Sequence, residues 1–166
     1  MAPIRMGFIG CGGNARGDIG RVLEMGECEV VSLCDSSEGS LQAACENYGE
    51  NVEHLPRFVD YKEMLDSVEM DAVQISTPHT LHFEQIMASL DKGLHVLSEK
   101  PMVCTVDHAH QVIAKAEESG KVLMVSYQRH LGAQYRYVRN QVMAGELGEI
   151  QFISALQDQA WYRGTM

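Results

Sequence analysis

The chain has 166 residues, 45% of them hydrophobic and 22% charged, which is the profile of a folded globular protein rather than a disordered tract. A net charge of -10 and a pI near 5.1, with no basic cluster, weigh against nucleic acid and anionic membrane surfaces as partners. The five cysteines are widely spaced and lack a C-x-x-C pair, no secretory pattern opens the sequence, and no eighteen apolar residues run together. Reduced thiols in a cytoplasmic, unanchored protein are expected.

In chain order, Ile4 to Ile9 is a short apolar run stopped by glycines, and Ala15, Ile19, Val22 and Leu23 then recur at helical spacing. Val30 to Cys34 reads as a second strand, followed by a helix face of Leu41, Ala44, Cys45 and Tyr48 that Gly49 ends. Residues 57–65 carry a weaker pattern. Strand-like "DAVQIS" (71–76) precedes Phe83, Ile86, Met87 and Leu90 at helical spacing with Gly93 as the stop, and "LHVLS" (94–98) follows. A helix capped near Thr105 presents Ala109, Val112, Ile113 and Ala116, with His108 and His110 on different sides and expected to face solvent, and ends at Gly120, before "VLMV" (122–125).

About five alternations of continuous apolar strands with amphipathic helices predict a doubly wound parallel sheet, an α/β fold, because parallel neighbours need long crossovers. Ligands of such sheets sit beyond the carboxyl ends of the strands, where "GCGGNA", Asp35, "STPH" and "SEKP" all fall. Residues 126–166 then change character. They carry a helix with Tyr135, Val138 and Val142 expected inward and an alternating strand, "IQFISAL". One helix and one strand enclose no core, so 1–125 is expected to be one domain and 126–166 the start of a second, α+β domain of a longer protein.

"GCGGNA" has the G-x-G-x-x-A form: Gly10 permits the tight turn, Gly12 lets backbone approach a pyrophosphate, and Ala15 allows close helix packing, with Gly13 and Asn14 between them. Backbone N–H groups at the helix start face the phosphate. Asp35 ends the second strand 25 residues after Gly10, about where a ribose-binding carboxylate belongs. A carboxylate accepts from the 2'- and 3'-hydroxyls and repels a 2'-phosphate, which favours NAD over NADP. Small Ser36 and Ser37 keep NADP open if Asp35 turns away. A methyltransferase using S-adenosylmethionine is the rival on fold alone, but its loop usually follows an acid in the first strand, and here Ile9 precedes Gly10.

With "STPHTLH", "GLHVLSEKPM" and "GELGEI" added to the loop and Asp35, the chain resembles the Gfo/Idh/MocA oxidoreductase family from Ile4 to about Ala155. The resemblance implies a Rossmann domain holding NAD, with Lys100 of Glu-Lys-Pro beside the nicotinamide and the hydroxyl being oxidised. Lys100 is then the catalytic residue present, stabilising negative charge as the hydroxyl proton leaves, with Glu99 and Pro101 orienting it. Ser76, Thr77, Pro78, His82, Glu99, Lys100 and Pro101 are the cofactor contacts the resemblance implies, His82 matching the family's structural histidine at a helix start. Arg129 corresponds to an arginine near the substrate. His79 and His82 alone make an incomplete metal site, so no metal is expected.

The implied substrate is a small molecule, a carbohydrate or polyol, and the implied assembly at full length is a homo-oligomer formed through the second domain. The family's second-domain catalytic histidine has no counterpart before Met166. A non-catalytic NAD-binding or sensing module is therefore one alternative, and an NAD-dependent glycosidase of the same family is another.

Overall fold

The computed structural model describes residues 2–156, and the chain divides into two compact units, Met1–Tyr127 and Gln128–Met166. Six parallel strands form one sheet in the first unit: β1 (Ile4–Ile9), β2 (Cys28–Cys34), β3 (Arg57–Phe58), β4 (Ala72–Ile75), β5 (His95–Glu99) and β6 (Leu123–Ser126). Their order is β3-β2-β1-β4-β5-β6. The order reverses between β1 and β4, and a crevice opens there at the carboxyl ends.

The crossovers are helices α1 (Gly13–Glu24), α2 (Glu38–Tyr48), α3 (Tyr61–Ser67), α4 (His82–Asp91) and α5 (Val106–Ser119). All four residues of β4 are buried, as a strand covered on both faces requires. One core layer joins Met6, Phe8 and Leu33 to Ile19 and Val22 of α1 and Leu41 and Ala44 of α2. The other joins Ile9, Val73, Ile75 and Val96 to Met64 of α3, Ile86 and Leu90 of α4 and Val112 of α5. Local signals agree with these boundaries. The Thr105 hydroxyl accepts from His108 N at 3.2 Å to cap α5, and Gly120 ends the helix at φ 64° and ψ 18°, a left-handed conformation that suits glycine.

Four expectations are corrected. The weak segment at 57–65 contains a sixth strand, β3, two residues long and therefore without a readable period, and it leads into α3. Ile113 is exposed, because α5 turns Val112 rather than its whole apolar stripe into the core. His108 does not simply face solvent: its ring stacks on Phe83 of α4, with centroids 3.8 Å apart.

The fourth lies in the second unit, where α6 (Ala133–Met143) leaves Tyr135, Val138 and Val142 exposed rather than inward. Residues 150–156 there form no strand, since alternation alone makes none without a neighbour to complete the ladder. Ile150, Phe152 and Ile153 are exposed. Among the described residues no helix is long and apolar enough to cross a membrane.

Arg5 on β1 is paired with Asp71 just before β4, its Nη2 donating to Oδ1 at 3.0 Å and its Nε to Oδ2 at 3.2 Å. The guanidinium hydrogen bonds hold the Asp71 carboxyl at about 2, below its ordinary 3.8. A lowered native value means the pair stabilises the fold above about pH 4 and loses that contribution as pH falls toward 2. Both side chains are partly exposed, so Asp71→Asn is expected to cost about 1 kcal/mol or less at pH 7. In urea unfolding the gap between variant and wild type closes by pH 2. A gap that stays constant over that range would contradict this.

Candidate cofactor-binding site

β1 ends at Ile9, and Gly10 turns the chain at φ +95°. Only glycine takes this turn here, because a Cβ would sit 2.7 Å from the carbonyl carbon and oxygen of Ser76. The end of β1 is thus locked to that of β4, with Ser76 N donating to Ile9 O at 2.8 Å, and to that of β2, with Gly10 N donating to Cys34 O at 2.7 Å. Gly12 and Gly13 differ: a Cβ at either would meet nothing within 4 Å, so their backbone borders open space. Gly12 caps α1 without a side-chain hydrogen bond, and no acidic residue occupies the first turn. The amides at this helix start therefore have no competing anion from the first turn. Fully buried Ala15 seats the helix on the sheet.

Asp35 follows β2 and reaches back to the loop. Its Oδ2 accepts from Cys11 N and its Oδ1 from Ser37 N, both at 2.8 Å. Each oxygen keeps a lone pair for a further donor. The Cys11 carbonyl is held by Arg16 Nη1 at 3.3 Å. Burial, reinforced by the Asp35 charge, pushes the thiols of Cys11 and Cys34 up to about 12, so they are neutral packing groups and not nucleophiles at pH 7.

A cleft of about 590 Å³ opens at this point. Gly10, Gly12, Gly13 and Asn14 border it on one side, with Asp35 and Ser36 at its end. Ser76, Thr77 and Pro78 border the other. Six residues outside the expected site complete it: Ile9 and Cys34 at the ends of β1 and β2, Val59 and Tyr61 beyond β3, Leu81, and Gln85 of α4. The rule that ligands sit past strand ends points to Val59 and Tyr61 once β3 is known. The Tyr61 hydroxyl is pushed above its ordinary range by burial and by Glu84 and Asp60. Gln85 is buried and its Oε1 accepts from the Thr77 hydroxyl at 2.5 Å.

The remaining expected residues lie outside the cleft lining. β4 and β5 pair Ile75 with Ser98, so Thr77 and Lys100 stand at matching positions two residues further on. Lys100 is exposed, and its backbone N donates to Oε2 of buried Glu99 at 3.1 Å. The Lys100–Pro101 peptide is cis. His82 is fully buried, with ring nitrogens 3.0 Å from the Thr77 carbonyl and 2.8 Å from that of Pro101. Arg129 belongs to the second unit, where its Nη1 donates to the Tyr135 hydroxyl at 3.2 Å. Among the described residues no three His, Cys, Asp or Glu side chains are placed to hold a metal.

The cleft fits a dinucleotide: open glycine backbone and helix amides for a pyrophosphate, and a carboxylate a strand away for a ribose. Fold and site together define a dinucleotide-binding Rossmann domain. Residues 4–127 match the oxidoreductase family GFO_IDH_MocA, NAD-binding Rossmann fold, and the chain belongs to that family.

The chain is 31% identical over 155 residues to D-glucoside 3-dehydrogenase of Escherichia coli K12, covering 93% of this chain and 43% of that protein. It is 27% identical over 155 residues to an alpha-N-acetylgalactosaminidase of Shewanella oneidensis, covering 90% and 34%. Among solved structures, the WlbA dehydrogenase of Bordetella pertussis in complex with NADH and UDP-GlcNAcA superimposes with a TM-score of 0.81 at 30% identity, covering 89% of this chain and 44% of that one. The chain thus spans less than half the length of the curated relatives it matches.

Proposed function

We propose that the intact protein is an NAD-dependent oxidoreductase moving hydride between nicotinamide and a hydroxyl-bearing carbon of a sugar, polyol or related compound. This chain supplies mainly its cofactor-binding part, and residues 126–166 open a substrate and oligomerisation domain. The observation that carries the reading is the convergence of Gly10–Asn14, Asp35 and Ser76–Pro78 on one cleft. On the same reading the intact protein is a cytoplasmic homo-oligomer.

When bound, NAD would supply the hydride acceptor or donor. The backbone of Gly12 and Gly13 meets the pyrophosphate, Asp35 accepts from the ribose hydroxyls, and Ser36 lies beside it. Ser76, Thr77 and Pro78 form the opposite wall. Lys100 holds the reacting oxygen through its ammonium and stabilises the negative charge that develops as the hydroxyl proton departs. Glu99 fixes the Lys100 backbone. The family resemblance assigns Arg129 to the substrate.

Asp35→Ala tests the cofactor reading. The loss of charge-assisted hydrogen bonds worth about 1.5–3 kcal/mol lowers NADH affinity by about 10- to 150-fold in calorimetric titration. NADPH, no longer opposed by the carboxylate, loses much less. Equal losses for both cofactors, or none, would overturn the assignment of Asp35.

The similarity to the Shewanella enzyme favours a second reading, a glycosidase that keeps its NAD and performs no net redox reaction. The two separate on one readout. With excess polyol or sugar and added NAD, the dehydrogenase accumulates NADH and the glycosidase does not.

A further inference from the structure

His82 stands at the start of α4, on neither of the two loops that border the reacting end of the site, yet its ring bonds to both. Nε2 faces the Thr77 carbonyl at 3.0 Å and Nδ1 faces the Pro101 carbonyl at 2.8 Å, with Ser98 Oγ at 3.5 Å from Nδ1. The ring is fully buried, so water does not substitute for either contact. Carbonyl oxygens only accept, so the ring nitrogen that carries the N–H donates to the carbonyl it faces while the other nitrogen packs against the second, and a side chain without N–H leaves a buried carbonyl short.

One helical turn on, Gln85 takes the Thr77 hydroxyl at 2.5 Å, while the Ser89 hydroxyl donates to the Gln85 carbonyl at 2.7 Å. Thr77 is therefore gripped at both its carbonyl and its side chain by the same helix. On the other side, Pro101 directly follows Lys100, whose backbone N is held by Glu99. A displacement of the Thr77 carbonyl reaches the Lys100 loop through one rigid aromatic ring.

We propose that His82 is a positioning residue whose imidazole, bridging the carbonyls of Thr77 and Pro101, couples occupancy of the cleft to the order of the loop carrying Lys100. The proposal rests on the cofactor reading above. It makes the Lys100 loop settle when the dinucleotide engages Thr77 and Pro78, before any substrate arrives. His82 touches neither cofactor nor substrate.

The test is amide hydrogen exchange of the full chain with saturating ADP-ribose, which lacks the nicotinamide ring assigned to the Lys100 end. In wild type, exchange slows at 10–15, 35–36 and 76–82, and also about tenfold at 99–103 through the bridge. In His82→Phe the protection at 10–15 and 35–36 persists at saturation, and that at 99–103 is lost. His82→Gln, whose single amide nitrogen does not fill both ring-nitrogen positions, transmits part of it. That variant keeps the test decisive where the Phe variant does not fold.

Protection at 99–103 that equals wild type in either variant, or never arises in wild type, would overturn the coupling while leaving the cofactor site intact. No protection at 10–15 and 35–36 in wild type would overturn the cofactor reading itself, and the proposal with it.

Discussion

Gly10→Ala abolishes measurable NADH binding and destabilises the first unit by about 2–5 kcal/mol. Two effects add. An L-residue held at φ +95° bears about 1–2 kcal/mol of backbone strain. The new methyl lies 2.7 Å from Ser76 C and O and 3.0 Å from Thr77 N, and overpacking of this kind costs about 1–3 kcal/mol.

The obstacle is backbone rather than a side chain with another rotamer. Relief requires parting β1 from β4, where Ser76 N donates to Ile9 O. That seam is the floor of the cleft, so binding and stability fall together. Urea unfolding and NADH fluorescence titration read both. Gly12→Ala is the contrast: its methyl enters open space, so stability changes by about 1 kcal/mol or less. Its binding falls, because the methyl stands where the pyrophosphate would lie. A Gly10→Ala chain as stable as wild type would contradict the geometry.

Lys100→Met lowers kcat of the intact protein by about 10²- to 10⁴-fold, the range for removing a general acid–base or charge-stabilising group. NADH affinity changes by less than tenfold, because Lys100 does not line the cleft that holds most of the dinucleotide. The fold is unaffected, since the side chain is exposed and Met replaces its aliphatic stem. Lys100→Arg does not restore the rate, because a planar guanidinium does not place its donors or fill the volume as a compact ammonium does. Steady-state rates with NAD and a polyol or sugar substrate read this. A Lys100→Met enzyme within threefold of wild type would remove Lys100 from the chemistry.

The parts of the site that are legible in the sequence are those where local chemistry and position coincide. Gly10 and Gly12 announce a turn by composition alone, and Asp35 stands at a fixed distance along the chain from them. β1, β2, β4 and β5 show because burial within the sheet makes them largely continuous apolar runs, and β6, an edge strand with Met124 exposed, shows by its apolar run alone. β3 does not, because two residues carry no period, and Val59 and Tyr61 beyond it stay hidden for the same reason. Gln85 reads as a polar interruption of an apolar helix face until Thr77 is seen to need its oxygen.

The ring of His82 joins residues 5 and 19 positions away, a relation that only the packing of α4 against two loop ends creates. "IQFISAL" shows the converse error: alternation describes which faces a strand would have, and pairing decides whether there is one.

The most direct test of the central claim is a ¹H–¹⁵N spectrum of this chain titrated with NAD. The cleft predicts saturable shifts centred on 10–15, 35–36 and 76–78, with Asp35→Ala moving the whole set to higher NAD concentration. Shifts absent at millimolar NAD, or confined to amides away from the β1 and β4 strand ends, would contradict it.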